Sequence, residues 1–479
     1  MKKSEFRLGK LPVILKIFNR KRNLSICIIF MLLLYACSSS YERHDVMLEK
    51  SVASSETENY YQEPVQEPDE IQTGHNTEEY DRIYENNFKN AMQNPLSTFS
   101  IDVDNASYSN IRRFLLGGTL PPKDVVRIEE MINYFTYSYP QPEGEHPFSI
   151  NTEMAECPWN KENKLVHIGL QGKSLNNEDI QPSNLVFLID VSGSMSDSRK
   201  LPLLKKSFKI LINKLDEKDR IALVVYAGAA GLVLPSTSIS EKEKILDALD
   251  DLQSGGSTAG GQGIKLAYKV AKENLIVGGN NRVILATDGD FNVGPSSTGG
   301  LVRLIEEKRK DDIYLTICGF GMGNYKDGRM EQISNAGNGN YFYIDNISEA
   351  KKVFEKEMLA NMFTIAKDVK IQIEFNPLIV KEYRLIGYEN RVMANEDFND
   401  DKKDAGELGA GHTVTALYEV VPIGSARESS KTYNLKYQKT RTTSQAHTDE
   451  IMTIKFRYKP IKSAAEKRNA FVEELMGRS

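Results

Sequence analysis

Leu185-Val-Phe-Leu-Ile-Asp190-Val-Ser192-Gly-Ser194-Met195 is the stretch on which the fold turns. Five apolar residues run straight into an aspartate, and two hydroxyls follow at alternate positions. An apolar run bounded by polar sequence reads as a parallel strand buried on both faces. Asp190, Ser192 and Ser194 then lie on the turn leaving its carboxyl end, where open α/β sheets bind ligands. One carboxylate and two hydroxyls on a tight turn suit a hard divalent cation such as Mg²⁺. An ordinary Asp/Ser turn accounts for the same three residues.

Two downstream segments strengthen the metal reading. Gly255-Gly-Ser-Thr258-Ala-Gly260-Gly-Gln-Gly263 precedes the helical pattern Ile264, Ala267, Tyr268, Ala271. Val283-Ile-Leu-Ala286 reads as a second buried strand, ending in Thr287-Asp288-Gly289. With these residues in place, the region from about 183 to 360 resembles a von Willebrand factor type A (VWA) domain with a metal-ion-dependent adhesion site. That family's site combines D-x-S-x-S, a Thr on a second loop and an Asp on a third, in this order. The matching residues are Asp190, Ser192, Ser194, Thr258 and Asp288.

The resemblance implies that Ser192 and Ser194 ligate Mg²⁺ (or Mn²⁺) directly, that Thr258 does so in at least one state, and that Asp190 and Asp288 act largely through metal-bound water. Two carboxylates then roughly balance the dication, and the other ligands are hydroxyls and water. Such an ion keeps an exchangeable octahedral position, attractive to a carboxylate from another molecule. Thr258 also reads as a helix N-cap, which is compatible with ligation. The Gly-rich loop lacks a following G-K-[ST], which argues against a phosphate site.

The N-terminus carries eight basic residues before residue 23, then the apolar run Leu24–Ala36. That run is too short for a comfortable membrane span and has the length of a signal-peptide core. It ends in Leu34-Tyr-Ala-Cys37, which resembles a bacterial lipobox and marks Cys37 for lipidation. Residues 1–36 are therefore expected to be a lipoprotein signal peptide, with an uncleaved membrane anchor as the other reading. The protein is expected in the cell envelope, lipid-anchored and extracytoplasmic, at the outer membrane if the cell is Gram-negative. Removing residues 1–36 shifts the formal net charge from −5 to −12. An acidic mature chain is a poor nucleic-acid binder.

Residues 37–93 are rich in Ser, Glu, Gln and Asn and read as a disordered acidic tether. In 94–180, a helix is expected from Ser107 to Leu116 and another opened by Pro121-Pro122 and running through Val125, Ile128, Met131, Ile132 and Phe135. Strand patterns follow at Phe148–Met154 and Leu165–Leu170. Pro121-Pro-Lys-Asp and Arg127-Ile-Glu-Glu-Met-Ile-Asn-Tyr-Phe135 resemble the N-terminal region of YfbK-like bacterial VWA proteins. Asp102, Asp104 and Ser107 are oxygen ligands at short spacing, and a strand-end turn explains them as well.

Residues 181–361 alternate strands and helices as a doubly wound sheet requires, ending in a helix at Ser348–Leu359. After 362 the alternation of Val369, Ile371, Ile373 and Phe375, then Val414–Val421, then Met452–Tyr458 reads as antiparallel β. This part resembles the YfbK-like C-terminal domain. Chains of that family continue into a longer helical tail, whereas this one stops at Ser479 after Ala465–Met476. The expected architecture is a doubly wound, mostly parallel VWA sheet inserted in a β-rich domain built from both flanks.

Cys157 and Cys318 are the cysteines outside the leader and its junction, so no disulfide framework is expected. No G-x-S-x-G, H-E-x-x-H or P-loop is present. His167 alternates within a strand and reads as a structural histidine. The chain thus reads as a non-enzymatic module binding a protein ligand that offers an acidic residue. The alternatives are a structural envelope scaffold and, less favoured, a metal-dependent hydrolase. Replacing Cys37 with Ser is expected to abolish labelling by radioactive palmitate, and label retained by that variant would refute the anchor.

Overall fold

In the computed structural model, the described residues are 78–256, 260–289, 298–322, 326–427, 437, 441–461 and 471–478. The chain runs β1 (Lys89–Asn90), β2 (Leu96–Ser100), helices Ala106–Leu116 and Ile128–Asn133, β3 (Phe148–Glu156), β4 (Lys164–Gly172) and β5 (Ser183–Asp190). Helix Leu201–Lys214, β6 (Arg220–Tyr226), β7 (Ala230–Ser238), helices Lys242–Asp250 and Gly260–Glu273, and β8 (Asn280–Thr287) follow. Next come helix Thr298–Arg309, β9 (Ile313–Phe320), helix Asp327–Ala336 and β10 (Tyr341–Ile344). The last part holds β11 (Thr364–Phe375), β12 (Val380–Ile386), β13 (Val392–Met393), β14 (Gly406–Gly409), β15 (Thr413–Pro422), β16 (Glu450–Pro460) and β17 (Phe471–Arg478).

β5 is buried along its whole length. Its side chains alternate between two cores, because successive residues of a strand face opposite sides. Leu185, Phe187 and Ile189 join Phe208, Leu211 and Phe354 on one face. Val186 and Leu188 join Tyr226, Ile264 and Tyr268 on the other. Helices therefore cover both faces of a sheet ordered β10-β9-β8-β5-β6-β7. All its pairings are parallel except β6 with β7, an antiparallel edge strand that the sequence pattern did not disclose. Chain order reverses between β5 and β8, and that is the point at which doubly wound sheets open a crevice.

The flanks form two antiparallel sheets around one further core. One is ordered β1-β12-β15-β4-β3 and the other β13-β2-β11-β16-β17, with β14 on β11. Each sheet mixes strands from before and after the inserted α/β domain. β4 pairs with β15 from Lys164↔Val420 to Gln171↔Thr413, and β2 pairs with β11. Phe375 of one sheet stacks on Tyr383 of the other at 4.1 Å between ring centres, and Phe148 meets Phe456 at 5.0 Å. The flanks therefore close into a single sandwich with the α/β domain spliced between β4 and β11.

Several elements differ from expectation. Residues 78–93, assigned to the tether on composition, belong to the folded body: Glu78 pairs with Arg113 at 2.7 Å and β1 pairs with β12. The helix expected from Pro121 to Phe135 is a 3-10 turn at Lys123–Val125 and a short helix at Ile128–Asn133. The helix expected at Ser348–Leu359 breaks into Ile347–Lys351, a π turn at Lys352–Lys356, and Met358–Met362. β12 was not foreseen. Among the described residues Cys157 and Cys318 are free and buried. Asp102 and Asp104 face a cation already, Arg391, at 3.1 and 3.0 Å.

Arg391 is part of a buried network that fastens the sandwich to the α/β domain. Its guanidinium also reaches Glu331 at 2.9 Å, and Arg127 reaches Glu331 at 3.2 Å and Glu130 at 3.5 Å. Asp327, one turn before Glu331, accepts from the Tyr341 hydroxyl at 2.9 Å. Asp102, Asp104, Glu130, Asp327 and Glu331 thus outnumber the guanidiniums of Arg127 and Arg391, with Asp81 and Arg113 also acting on Asp327, a balance that favours protonation of the deepest acids. Burial pushes Asp327 up to about 7; Glu331 and Asp81 add to this, while Arg127 and Arg113 oppose it. Asp104 and Glu130 are displaced upward for the same first reason. A raised carboxyl binds its proton more tightly in the folded state, so its contribution is full below the unfolded value near 4 and is lost as pH rises through about 7. Between these limits Asp327 should give a downward slope of about 1.4 kcal/mol per pH unit. Denaturant unfolding of Asp327→Asn between pH 4 and pH 8 is expected to show a flatter decline than the parent, and equal slopes would refute the assignment.

Candidate metal centre

A strand buried on both faces has no place for a carboxylate until it ends. β5 ends in Asp190 and its neighbour β8 ends in Thr287, followed by Asp288; both acids are fully buried. They come together because Ile189 lies beside Ala286 in the parallel register.

Each oxygen of Asp190 is held. Oδ1 accepts from the Ser192 backbone N–H at 2.9 Å, which starts the turn. Oδ2 accepts from the Thr287 hydroxyl at 3.4 Å. The Ser192 and Ser194 hydroxyls lie 3.0 Å apart. Met195 donates back to the Ser192 carbonyl at 3.0 Å and drops its side chain into the core, so the apolar residue after the motif pins the turn. Ser192 is buried and Ser194 is exposed, which gives the cluster a carboxylate floor and a hydroxyl rim facing water.

The second loop is tied to the first. Gly255 N–H donates to the Val191 carbonyl at 2.7 Å and Gly193 N–H donates to the Gly256 carbonyl at 3.0 Å. Gly256 sits at φ +85°, which favours glycine. Gly263, inside the following helix, has no room for a side chain: a Cβ would lie 2.9 Å from Tyr226 Cβ and 3.1 Å from Leu188 Cδ1. The helix start is thereby pressed against β5 and β6. Thr258, expected on this loop, lies outside the described residues, as does Cys37.

Of the five expected site residues, Asp190, Ser192, Ser194 and Asp288 are gathered at the switch point of the sheet. The donor chemistry fits a hard cation, with two carboxylates and two hydroxyls and no soft ligand. Among the described residues, no group of three or more His, Cys, Asp or Glu forms a competing metal cluster. Burial pushes Asp190 up to about 6, Asp288 adds to the rise, and bonds from Ser192 and Tyr226 oppose it. Two buried acids side by side store charge repulsion that a divalent cation relieves. His167, by contrast, meets the Tyr139 hydroxyl at 2.7 Å and has a structural role.

One participant was missed. Lys200 Nζ donates to Asp288 Oδ2 at 2.8 Å, across 88 residues of sequence. A faint signal was present: Lys200 occupies the N-cap of helix Leu201–Lys214. A cation is disfavoured there by the helix dipole, and Ser, Thr, Asp or Asn is the usual choice.

Comparison with known proteins gives three family matches. Residues 184–356 match the von Willebrand factor type A domain, and residues 74–167 match a family described as von Willebrand factor. Residues 360–476 match the family described as uncharacterized protein YfbK, C-terminal. The chain is 44% identical over 391 residues to the uncharacterized protein YfbK of Escherichia coli (strain K12), covering 80% of this chain and 68% of that one. It is 27% identical over 197 residues to the uncharacterized protein sll0103 of Synechocystis, covering 40% of this chain and 45% of that one. A solved structure, von Willebrand factor type A from Catenulispora acidiphila, aligns over 71% of this chain and 74% of its own at 16% identity, with a TM-score of 0.42.

Proposed function

The chain belongs to the YfbK family of VWA-domain proteins, and from that premise we propose that it is a lipid-anchored, extracytoplasmic binding protein whose ligand completes a metal site. Ser192, Ser194 and Thr258 would hold Mg²⁺ or Mn²⁺, with Asp190 and Asp288 behind them. When bound, the cation supplies a Lewis-acidic position for a carboxylate oxygen of a protein ligand. The chain's own residues set the stage. Thr287 and the Ser192 N–H orient Asp190. The paired loops fix the rim, and the exposure of Ser194 leaves the approach open to a macromolecule.

The observation that carries this reading is the convergence of Asp190, Ser192, Ser194 and Asp288 at the point where strand order reverses. An exposed hydroxyl over a buried acidic floor suits capture of a carboxylate from outside, so a binding role is preferred to hydrolysis. A scaffold role in the envelope is the second reading, favoured by the size of the sandwich that flanks the site.

Calorimetry tests the choice. The full-length protein is expected to bind Mg²⁺ or Mn²⁺ with one site, and Asp190→Ala is expected to lose at least tenfold in affinity, about 1.4 kcal/mol, while melting as a folded protein. Partner capture from envelope extract should fall on adding EDTA. Equal metal affinity in both proteins would defeat the metal reading. Capture indifferent to EDTA and to Asp190→Ala would favour the scaffold.

A further inference from the structure

The charge count at the switch point is not that of two carboxylates alone. Lys200 Nζ lies 2.8 Å from Asp288 Oδ2, with 11% of the lysine side chain exposed and none of the aspartate side chain. A fully buried carboxylate needs a cation or hydrogen-bond donors near it to remain charged. The lysine side chain is directed to this place by three features. Its backbone N–H is fixed to the Asp197 carbonyl at 2.9 Å. Its aliphatic stem crosses Gly321, where any Cβ would collide with Lys200 Cγ and Cε and where φ is +81°. The Gly321 carbonyl is in turn anchored by the Tyr343 hydroxyl at 2.6 Å. A glycine kept open for a lysine stem, at the end of a strand next to β8, is a built passage.

We propose that Lys200 is a resident counter-cation of the site, paired with Asp288 and holding it in place in the metal-free protein, and weakening the site's hold on a metal that has no anionic ligand. The inference rests on the metal reading given above. With Asp190, Asp288 and the Lys200 ammonium, the protein contributes one net negative charge, so a bound dication retains positive charge. That residual charge is relieved by an anion from outside. Metal and acidic ligand then bind cooperatively, each raising the affinity of the other by the same factor. Without the ammonium the site would hold the metal well by itself and would discriminate less between bound and free ligand.

The test uses the metal alone. Mg²⁺ titrations of the full-length protein and of Lys200→Met, Lys200→Arg and the double variant Lys200→Met/Asp288→Asn are followed by calorimetry, and each is melted in EDTA and in saturating Mg²⁺. Lys200→Met is expected to bind Mg²⁺ about tenfold more tightly than the parent, from the removal of a like charge in a poorly screened site. It is expected to melt lower than the parent in EDTA and to recover in Mg²⁺. Lys200→Arg, which keeps the charge, should stay near the parent. Metal affinity unchanged or weakened in Lys200→Met, with binding by the parent intact, overturns the proposal. Absence of Mg²⁺ and Mn²⁺ binding by every protein, parent included, overturns the metal reading and this inference with it. If Lys200→Met folds in neither condition, the double variant decides. Its folding would support the counter-cation, and its failure to fold would leave the lysine a packing role over Gly321 and overturn the proposal.

Discussion

Everything at the candidate centre follows from a strand that is apolar on both faces. From Leu185 to Ile189 β5 serves two cores at once, and its first carboxylate falls where the strand runs out. Because β8 lies beside it in parallel register, the acid that follows β8, Asp288, falls one residue beyond the level of Asp190. Two acids meet by the geometry of the sheet rather than by any attraction between them. The cost of that meeting is offset by groups brought from elsewhere: the Ser192 N–H, the Thr287 hydroxyl and the Lys200 ammonium.

The parts of the fold that were legible were those whose signal is local. Leu185–Ile189 and Val283–Ala286 announce buried strands because each needs only its own residues to be read. Asp190, Ser192 and Ser194 were legible for the same reason, and the fold places them near Asp288. Lys200 was not legible as a site residue, since its partner lies 88 residues further along the chain. Residues 78–93 have the composition of a tether, and their order depends on Arg113 and β12. In β12, Tyr383 and Leu385 reach the core while Glu382 and Arg384 alternate with them on the other face, a run too short to stand out in the sequence. The sequence of 348–359 is helical in pattern, yet the backbone widens to a π turn at Lys352–Lys356. Asn361 Nδ2 donates to the Val353 carbonyl at 3.0 Å, a bond that no periodicity announces.

The two parts of the molecule are fastened in chemically different ways. The sandwich is held by interleaved strands from both flanks and by stacked rings such as Phe375 and Tyr383. Its junction with the α/β domain adds an ionic network to apolar contacts such as those of Ala106 and Ala410, with Arg127 and Arg391 shared among acids from helix Asp327–Ala336 and from the β2 end. The ionic network therefore responds to protons, while the sandwich and the sheet beside it rest on apolar burial.

The splice has an entropic consequence. The α/β domain leaves the sandwich after β4 and returns at β11, strands that are built into sheets sharing one core. While the sandwich stands, an unfolded α/β domain is a closed loop with pinned ends rather than a free chain. A closed loop has fewer conformations, by an amount that grows with the logarithm of its length. The sandwich thereby acts on the inserted domain as a covalent cross-link would, raising its stability by limiting the disorder available to it when it opens.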